Sequence, residues 1–313
     1  MLRYLLLTLM LFSHNLVYAS TYYYSNQSDI IGELQFHRVA SGDSWDSIGY
    51  FYDVGYDELR RANPGVRSLS RYIGHVIVIP TQYILPEKKY RNGIVVNLAE
   101  KRLYYFLDEH TVLTYPVSVG KSGWQTPSFY AKVNRKKIAP VWYVPESINN
   151  YHYKKYGKRL PKRVPAGPNN PLGNYALYLT KPRILIHGTN SEKKIGSAVS
   201  SGCIRMFNRN IQELFFLVPV GTPVHFIHED EKIGIDQGYI YLEKHPVYYV
   251  DDDDNIYVYL DELQDDYENM IIDKDTLRNE HMRSTGVPVK VGVIDGEEEE
   301  VSYTLDDDSV WRP

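Results

Sequence analysis

Cysteine is almost absent from this chain: Cys203 is the one thiol in 313 residues, so no intrachain disulfide can form. Histidines with metal-ligand spacing are missing too. His225 and His228 stand without a second cluster, and neither a metal nor another cofactor is expected. Long apolar runs are lacking beyond the first residues. The run from Leu5 to Phe12 follows Arg3 and precedes Val17-Tyr18-Ala19; it is too short for a stable membrane span and reads as a secretory signal peptide over residues 1–19, with the mature chain starting near Ser20. No cysteine follows that site, which argues against a lipoprotein anchor. No transmembrane segment is expected in the mature chain.

Net charge is small, −4, but unevenly spread. Residues 20–250 carry 29 Lys and Arg against 19 Asp and Glu, whereas residues 251–313 carry 5 against 20. A basic body suits nucleic acid, an anionic membrane or an acidic polymer. Export removes nucleic acid and favours a cell-wall peptide with free carboxylates.

What is abundant is apolar and aromatic: 43% of the residues are hydrophobic and 29 are tyrosines. That supports a packed core and favours strands over helical bundles. Short β-rich runs recur at Ile94–Leu98, Arg102–Leu107, Leu113–Val119, Tyr175–Leu179, Arg183–Ile186 and Thr222–Ile227, the spacing of a β-sandwich or barrel. Residues 139–174 are rich in proline, tyrosine and lysine. They read as a long loop acting as a lid, with a merely solvated insertion as the alternative.

The lone thiol has a partner. Cys203 follows Gly202 in Ser200-Ser201-Gly202-Cys203-Ile204-Arg205-Met206, and His187 lies 16 residues upstream in Ile186-His187-Gly188-Thr189-Asn190. A random Cys/His pair is usually an inert buried thiol beside an unrelated histidine. An unpaired thiol in an oxidising compartment is a liability unless used, which reverses that judgement. His187 is then the base that makes a thiolate, and the Gly188 carbonyl orients the imidazole. The N–H groups of Gly202 and Cys203 form an oxyanion hole. Arg205, with Ser201, Thr189 and Tyr175 on the flanking turns, completes the substrate-binding set; Arg205 either holds a carboxylate or packs under the turn.

Nearer the N-terminus, Phe36–Ala40 reads as a strand that stops at Gly42, and Asp43 or Ser44 caps a helix with Trp45, Ile48 and Phe51 at helical spacing. A second helix over Tyr56, Leu59 and Ala62 ends at Asn63-Pro64-Gly65, and His75–Pro80 returns as a strand. This strand–helix–helix–strand unit resembles the LysM family. The resemblance implies binding of N-acetylglucosamine-containing glycan strands, with Gly42, Asp43, Ser44, Asn63 and Pro64 as the groove residues.

The cysteine region resembles the YkuD-type L,D-transpeptidase catalytic domain, whose signature is a His-Gly element followed by Ser-His-Gly-Cys-hydrophobic-Asn. Ser200, Gly202, Cys203 and Ile204 match; Ser201 replaces the second histidine and Arg205 the asparagine, and Cys-Ile-Arg-Met resembles the Gram-negative branch. Similarity continues through Val119-Gly120, Gly123–Pro127, Asn170–Leu177 and Val218–Val224, about residues 92 to 228. Ser128-Phe129 stand where the family usually has a glycine.

The implied architecture is mainly β. It comprises a signal peptide (1–19), a spacer (20–34), a LysM-like domain (35–81), a linker (82–92), a catalytic domain (93–228) and a C-terminal extension (229–313) that is acidic from 251. The acidic tail is expected to dock on the basic Lys154–Arg163 stretch.

The implied activity is periplasmic: Cys203 forms a thioester with a peptidoglycan tetrapeptide stem, and an amine resolves it. A stem-peptide amine would give a 3→3 cross-link, a lysine of an outer-membrane lipoprotein a wall anchor, and water a carboxypeptidase or hydrolase. A non-catalytic wall-binding protein is the remaining alternative. Carbapenem acylation of the family's cysteines separates it from the enzyme readings.

Overall fold

The computed structural model describes residues 20–25, 27–246 and 269–294. The expected signal peptide therefore lies outside the described residues. So do the acidic runs at 251–254, 265–266, 297–300 and 306–308, and with them the expected docking of the tail.

Strands β1 (Ser20–Tyr23) and β2 (Ile30–Gly32) occupy the stretch expected to be a spacer. Next comes the strand–helix–helix–strand unit: β3 (Gln35–Arg38), α1 (Trp45–Tyr52), α2 (Tyr56–Arg61) and β4 (Val76–Ile79), with β3 and β4 antiparallel. Ser44 caps α1: its Oγ accepts from Ser47 N–H, and Ser47 Oγ accepts from Ser44 N–H. Trp45 and Ile48 face this module's core, but Phe51 is 71% exposed. Gly49 faces inward as well, packed so closely on the Val54 carbonyl that a Cβ would lie 2.7 Å from it.

The second, larger body starts after β5 (Gln82–Ile84) with the meander β6 (Gly93–Asn97), β7 (Arg102–Phe106) and β8 (Thr111–Pro116). It continues through β9 (Val119–Gly120), β10 (Phe129–Ile138), β11 (Trp142–Tyr143), α3 (Glu146–Tyr156) and β12 (Arg163–Val164). It ends with β13 (Tyr175–Leu179), β14 (Leu185–His187), β15 (Ala198–Ser200), β16 (Ile204–Arg205), α4 (Asn208–Leu217) and β17 (Pro223–Ile227). Nine described strands form one mixed sheet, ordered β1-β8-β7-β6-β17-β10-β13-β14-β16. Ser118 and Arg205 exchange backbone hydrogen bonds of 2.8 and 3.0 Å, joining the last strand to the chain just beyond β8. The sheet thus curls back on itself, as a sandwich or barrel must to hide its edge.

Alternation in β6–β8 explains what covers this sheet. Ile94, Val96, Leu103, Tyr105, Leu113 and Tyr115 point into the main core with Ile211, Leu214 and Phe215 of α4. Val95, Tyr104, Phe106 and Val112 point the other way, where Ile31, Tyr83, Leu85 and Ile227 cover them. The expected spacer and linker are therefore a lid on the second face, with β1 paired to β8 and β2 to β5. Near-continuous apolar strands of this kind are a sign of burial on both faces.

The expected C-terminal extension is also folded over its described part. β18 (Glu231–Asp236), β19 (Tyr239–Lys244), β20 (Met270–Ile272) and β21 (Val289–Ile294) form an antiparallel sheet, ordered β18-β19-β21-β20. The helix Lys274–Arg283 buries Leu277 against Ile240, Leu242 and Val291. Its acidic composition hid this apolar alternation.

The three modules meet at a buried ionic network. Glu58 of α2 pairs with Arg102 of β7 at 2.8 Å. Lys232 of β18 lies 3.0 Å from Glu100 and 2.8 Å from Glu243. Glu100 and Glu243 also adjoin His245, but the Lys232 ammonium bridges the two carboxylates. Arg102 stacks on Tyr83 with its guanidinium carbon 4.1 Å from the ring centre. Removing one partner strands the others without water. Arg102→Ala should therefore destabilise the protein by about 3–5 kcal/mol, read as a lower denaturant midpoint. A loss under ~1 kcal/mol would show that the network contributes no more than an exposed pair.

Candidate active site

The register brings the two key residues onto neighbouring strands. His187 ends β14 opposite Arg205 of the parallel strand β16, and Cys203 is the residue just before β16. The residues between them, 188–202, form a return arm through β15, which pairs with β9. Met206 N–H donates to the His187 carbonyl at 2.9 Å and locks the crossing.

His187 is buried, and its Nδ1 lies 2.6 Å from the Gly188 carbonyl oxygen. With Nδ1–H donating there, Nε2 carries the lone pair. Burial first, then the Arg205 charge, push the His187 pKa down to about 3, while the bond to Gly188 opposes them. Burial raises the Cys203 thiol, opposed by a Leu185 backbone hydrogen bond and by the Arg205 charge. The resting pair is thus a neutral imidazole and a neutral thiol. Cys203 is half-buried and its S–H donates to the Arg183 carbonyl at 3.4 Å. Among the described residues no hydrogen bond joins the thiol to His187, and the Arg205 guanidinium has no carboxylate partner.

The cysteine turn is clamped from both sides. Gly202 N–H donates to Ser200 Oγ at 3.1 Å, the Ser200 hydroxyl donates to the Cys203 carbonyl at 2.6 Å, and the Thr126 hydroxyl donates to the Gly202 carbonyl at 2.9 Å. Gly202 has φ +104, and a Cβ there would meet nothing closer than Trp124 O at 3.6 Å, so conformation rather than space calls for glycine. The expected oxyanion donor at Gly202 is thereby corrected: its N–H is spent on Ser200. The Cys203 N–H makes no hydrogen bond among the described residues and is the remaining donor. Ser201 lies half-buried on the same turn.

Two further expectations change. Thr189 is buried, and its hydroxyl accepts from Ser191 N–H at 3.0 Å and donates to the Ser191 carbonyl at 2.9 Å, so that hydroxyl closes a turn. Tyr175 turns away: Ala176 is the residue opposite His187, and the Tyr175 ring packs 5.0 Å from Phe215 and 5.8 Å from Phe216 on α4. The sequence reading missed Asn208. Its Oδ1 accepts from Thr189 N–H at 3.0 Å and its Nδ2 donates to the Thr189 carbonyl at 2.9 Å, pinning the chain after His187. A Cβ on Gly188 would lie 2.4 Å from that Oδ1, which is why glycine follows the histidine. An asparagine beside a helix start reads as a cap, and nothing local reveals this longer reach.

The stretch 139–174, read as a loop, contains α3 and the β11–β12 pair. Buried Asn170 ties its base, donating to the carbonyls of Pro140, Val164 and Pro165. Tyr151 of α3 packs edge-on against Trp124 at 5.9 Å, and Trp124 O borders Gly202, so the helix lies beside the cysteine turn.

In the glycan-binding set, Asn63 is buried and saturated: Nδ2 donates to Leu59 and Val78, and Oδ1 accepts from Val78 N–H, each at 2.8 Å. It is a strut, not a ligand contact. Asp43 accepts from Ala40 N–H and pairs with His37, and Ser44 is the helix cap. Gly42 and Pro64 are exposed.

Residues 91–226 match the family model of the L,D-transpeptidase catalytic domain, and residues 37–80 match that of the LysM domain. The "Probable L,D-transpeptidase YbiS" of Escherichia coli K12 is 41% identical over 224 residues, 70% of this chain and 72% of that protein. The chain belongs to the L,D-transpeptidase family. Two other relatives are the "Probable L,D-transpeptidase ErfK/SrfK" of Salmonella typhimurium, 43% identical over 64% of this chain and 65% of its own, and the "Probable L,D-transpeptidase YcfS" of Escherichia coli K12, 40% identical over 66% of each.

For this L,D-transpeptidase the depressed His187 pKa sets a pH signature. An imidazole with pKa about 3 stays unprotonated down to acid pH, so with His187 as the expected base and Cys203 as the expected nucleophile the acylation rate should not fall between pH 8 and pH 5. An acidic limb centred near the ordinary histidine value of about 6.5 would show that His187 is not buried as described.

Proposed function

We propose that this L,D-transpeptidase is an exported, periplasmic cysteine enzyme that acts on peptidoglycan tetrapeptide stems. The observation that carries the reading is the delivery of His187 and Cys203 by adjacent parallel strands, with the unpartnered Arg205 charge acting on both. The sulfur attacks the stem carbonyl and His187 Nε2 takes the thiol proton, the two closing to hydrogen-bond distance in the substrate complex. Cys203 N–H stabilises the oxyanion, and the Gly188 carbonyl holds the imidazole tautomer. Collapse expels the terminal D-residue as an amine, protonated from His187, and leaves a thioester. An acceptor amine then attacks it, gives its proton to His187 and releases the thiol. Arg205 suits a stem carboxylate, for which it offers a bidentate donor. The LysM domain holds the glycan strand that carries the stem.

Transfer to a stem-peptide amine, transfer to a lipoprotein lysine and hydrolysis share the thioester and differ only in what resolves it. Mass analysis of products from purified tetrapeptide muropeptides separates the first from the last: dimers report transfer to a stem-peptide amine, free tripeptides hydrolysis. Cys203→Ala should abolish all products and the carbapenem adduct while retaining pull-down on insoluble peptidoglycan. His187→Ala should slow acylation by at least about a hundredfold. A wild-type protein that is folded yet gains no carbapenem mass would instead favour a non-catalytic wall-binding role.

A further inference from the structure

The arm that joins His187 to Cys203 does not rest on the catalytic domain alone. Lys194 N–H donates to Asp46 Oδ1 of α1 at 2.6 Å, Tyr56 N–H of α2 donates to the Ile195 carbonyl at 2.7 Å, and the Ser197 hydroxyl donates to Asp57 Oδ1 of α2 at 2.9 Å. Gly196 sits directly on Gly55: a Cβ on Gly196 would lie 2.3 Å from the Gly55 Cα. On the arm's other side Ser118 Oγ donates to the Lys194 carbonyl at 3.1 Å and Val119 N–H to the Ser197 carbonyl at 3.3 Å. Lys194 has φ +58, a left-handed conformation that a lysine keeps only where its surroundings hold it. Asp46 and Ser118 grip the N–H and the carbonyl of that one residue. Three residues after Ser197 the chain reaches Ser200, whose hydroxyl holds the cysteine turn.

We propose that Asp46 and Asp57 of the LysM domain are positioning residues for the Cys203 reaction, so that the glycan-binding module also serves as one wall of the catalytic scaffold. The inference rests on the cysteine mechanism above. Without Asp46, Lys194 loses one of the two hydrogen bonds on its backbone, keeping the one to Ser118 and the contact of its ammonium with the Tyr56 ring, and relaxes toward an ordinary backbone angle; the displacement passes through β15 to the turn that aims the thiol. Neither aspartate touches substrate; each acts through the arm.

The test is the rate of carbapenem adduct formation on Cys203 of the full chain, followed by mass, as a function of drug concentration. Asp46→Ala should lower the maximal acylation rate by roughly tenfold, the scale of one lost charge-assisted hydrogen bond, with little change in the half-saturating concentration. Asp46→Asn keeps an oxygen that accepts from Lys194 N–H and should retain the rate to within about threefold. Pull-down on insoluble peptidoglycan should be unchanged in both. Should Asp46→Ala not fold, Ser197→Ala, which frees the arm from Asp57, is expected to slow acylation severalfold in the same assay. Wild-type rates in a folded Asp46→Ala or Ser197→Ala protein would overturn the inference alone, as would equal losses in Asp46→Ala and Asp46→Asn. Failure of the wild-type protein to form any adduct would overturn the cysteine mechanism and this inference with it.

Discussion

The Glu58–Arg102 pair is the contact on which the arrangement of the molecule depends. Both side chains are buried, and each belongs to a different module. A carboxylate and a guanidinium taken out of water are unfavourable apart and tolerable only together, so the pair dictates where α2 must sit on β7. Arg102 is further sandwiched by Tyr83 and approached by Glu100, and Glu100 reaches Lys232 of the C-terminal sheet.

That docking has a chemical consequence. Once α2 is seated on β7, the N-terminal turns of α1 and α2 face residues 194–197, and the catalytic arm is closed in from two sides. The left-handed backbone at Lys194 and the glycine turn at Gly202 are held by hydrogen bonds from separate parts of the chain, which suits a turn that presents a thiol in one orientation. Electrostatics at the site follow the same logic. Burial keeps His187 and Cys203 neutral at rest, and Arg205 favours the thiolate while disfavouring the imidazolium. At rest the half-buried cleft therefore holds no thiolate–imidazolium pair.

The local elements of this fold were legible because their causes are local. Ser44, Trp45 and Ile48 make a capped amphipathic helix wherever they occur, and the alternation in residues 94–106 makes strands. His187 and Cys203 stood out for chemical scarcity, a single thiol and a nearby base. Where the reading fell short, the missing information was non-local. The spacer and linker became structured because β6–β8 needed cover on their second face, and the C-terminal residues because Leu277 had a sheet to bury against.

Sequence by itself determined the LysM-like helices, the strands of residues 94–116 and the family, since these follow from side-chain chemistry and short-range spacing. Tertiary structure alone decided which polar atoms are still free. Gly202 N–H, the Thr189 hydroxyl and the Asn63 amide are chemically able to meet a ligand, yet each is spent on a neighbour in the fold. Asn208 and Asp46 carry no signal in the chain, yet hold the start and the middle of the arm between His187 and Cys203. A hydrogen-bonding group can be counted from sequence, but its partner is set by backbone registers and helix docking between residues far apart in the chain, 148 positions for Asp46 and Lys194.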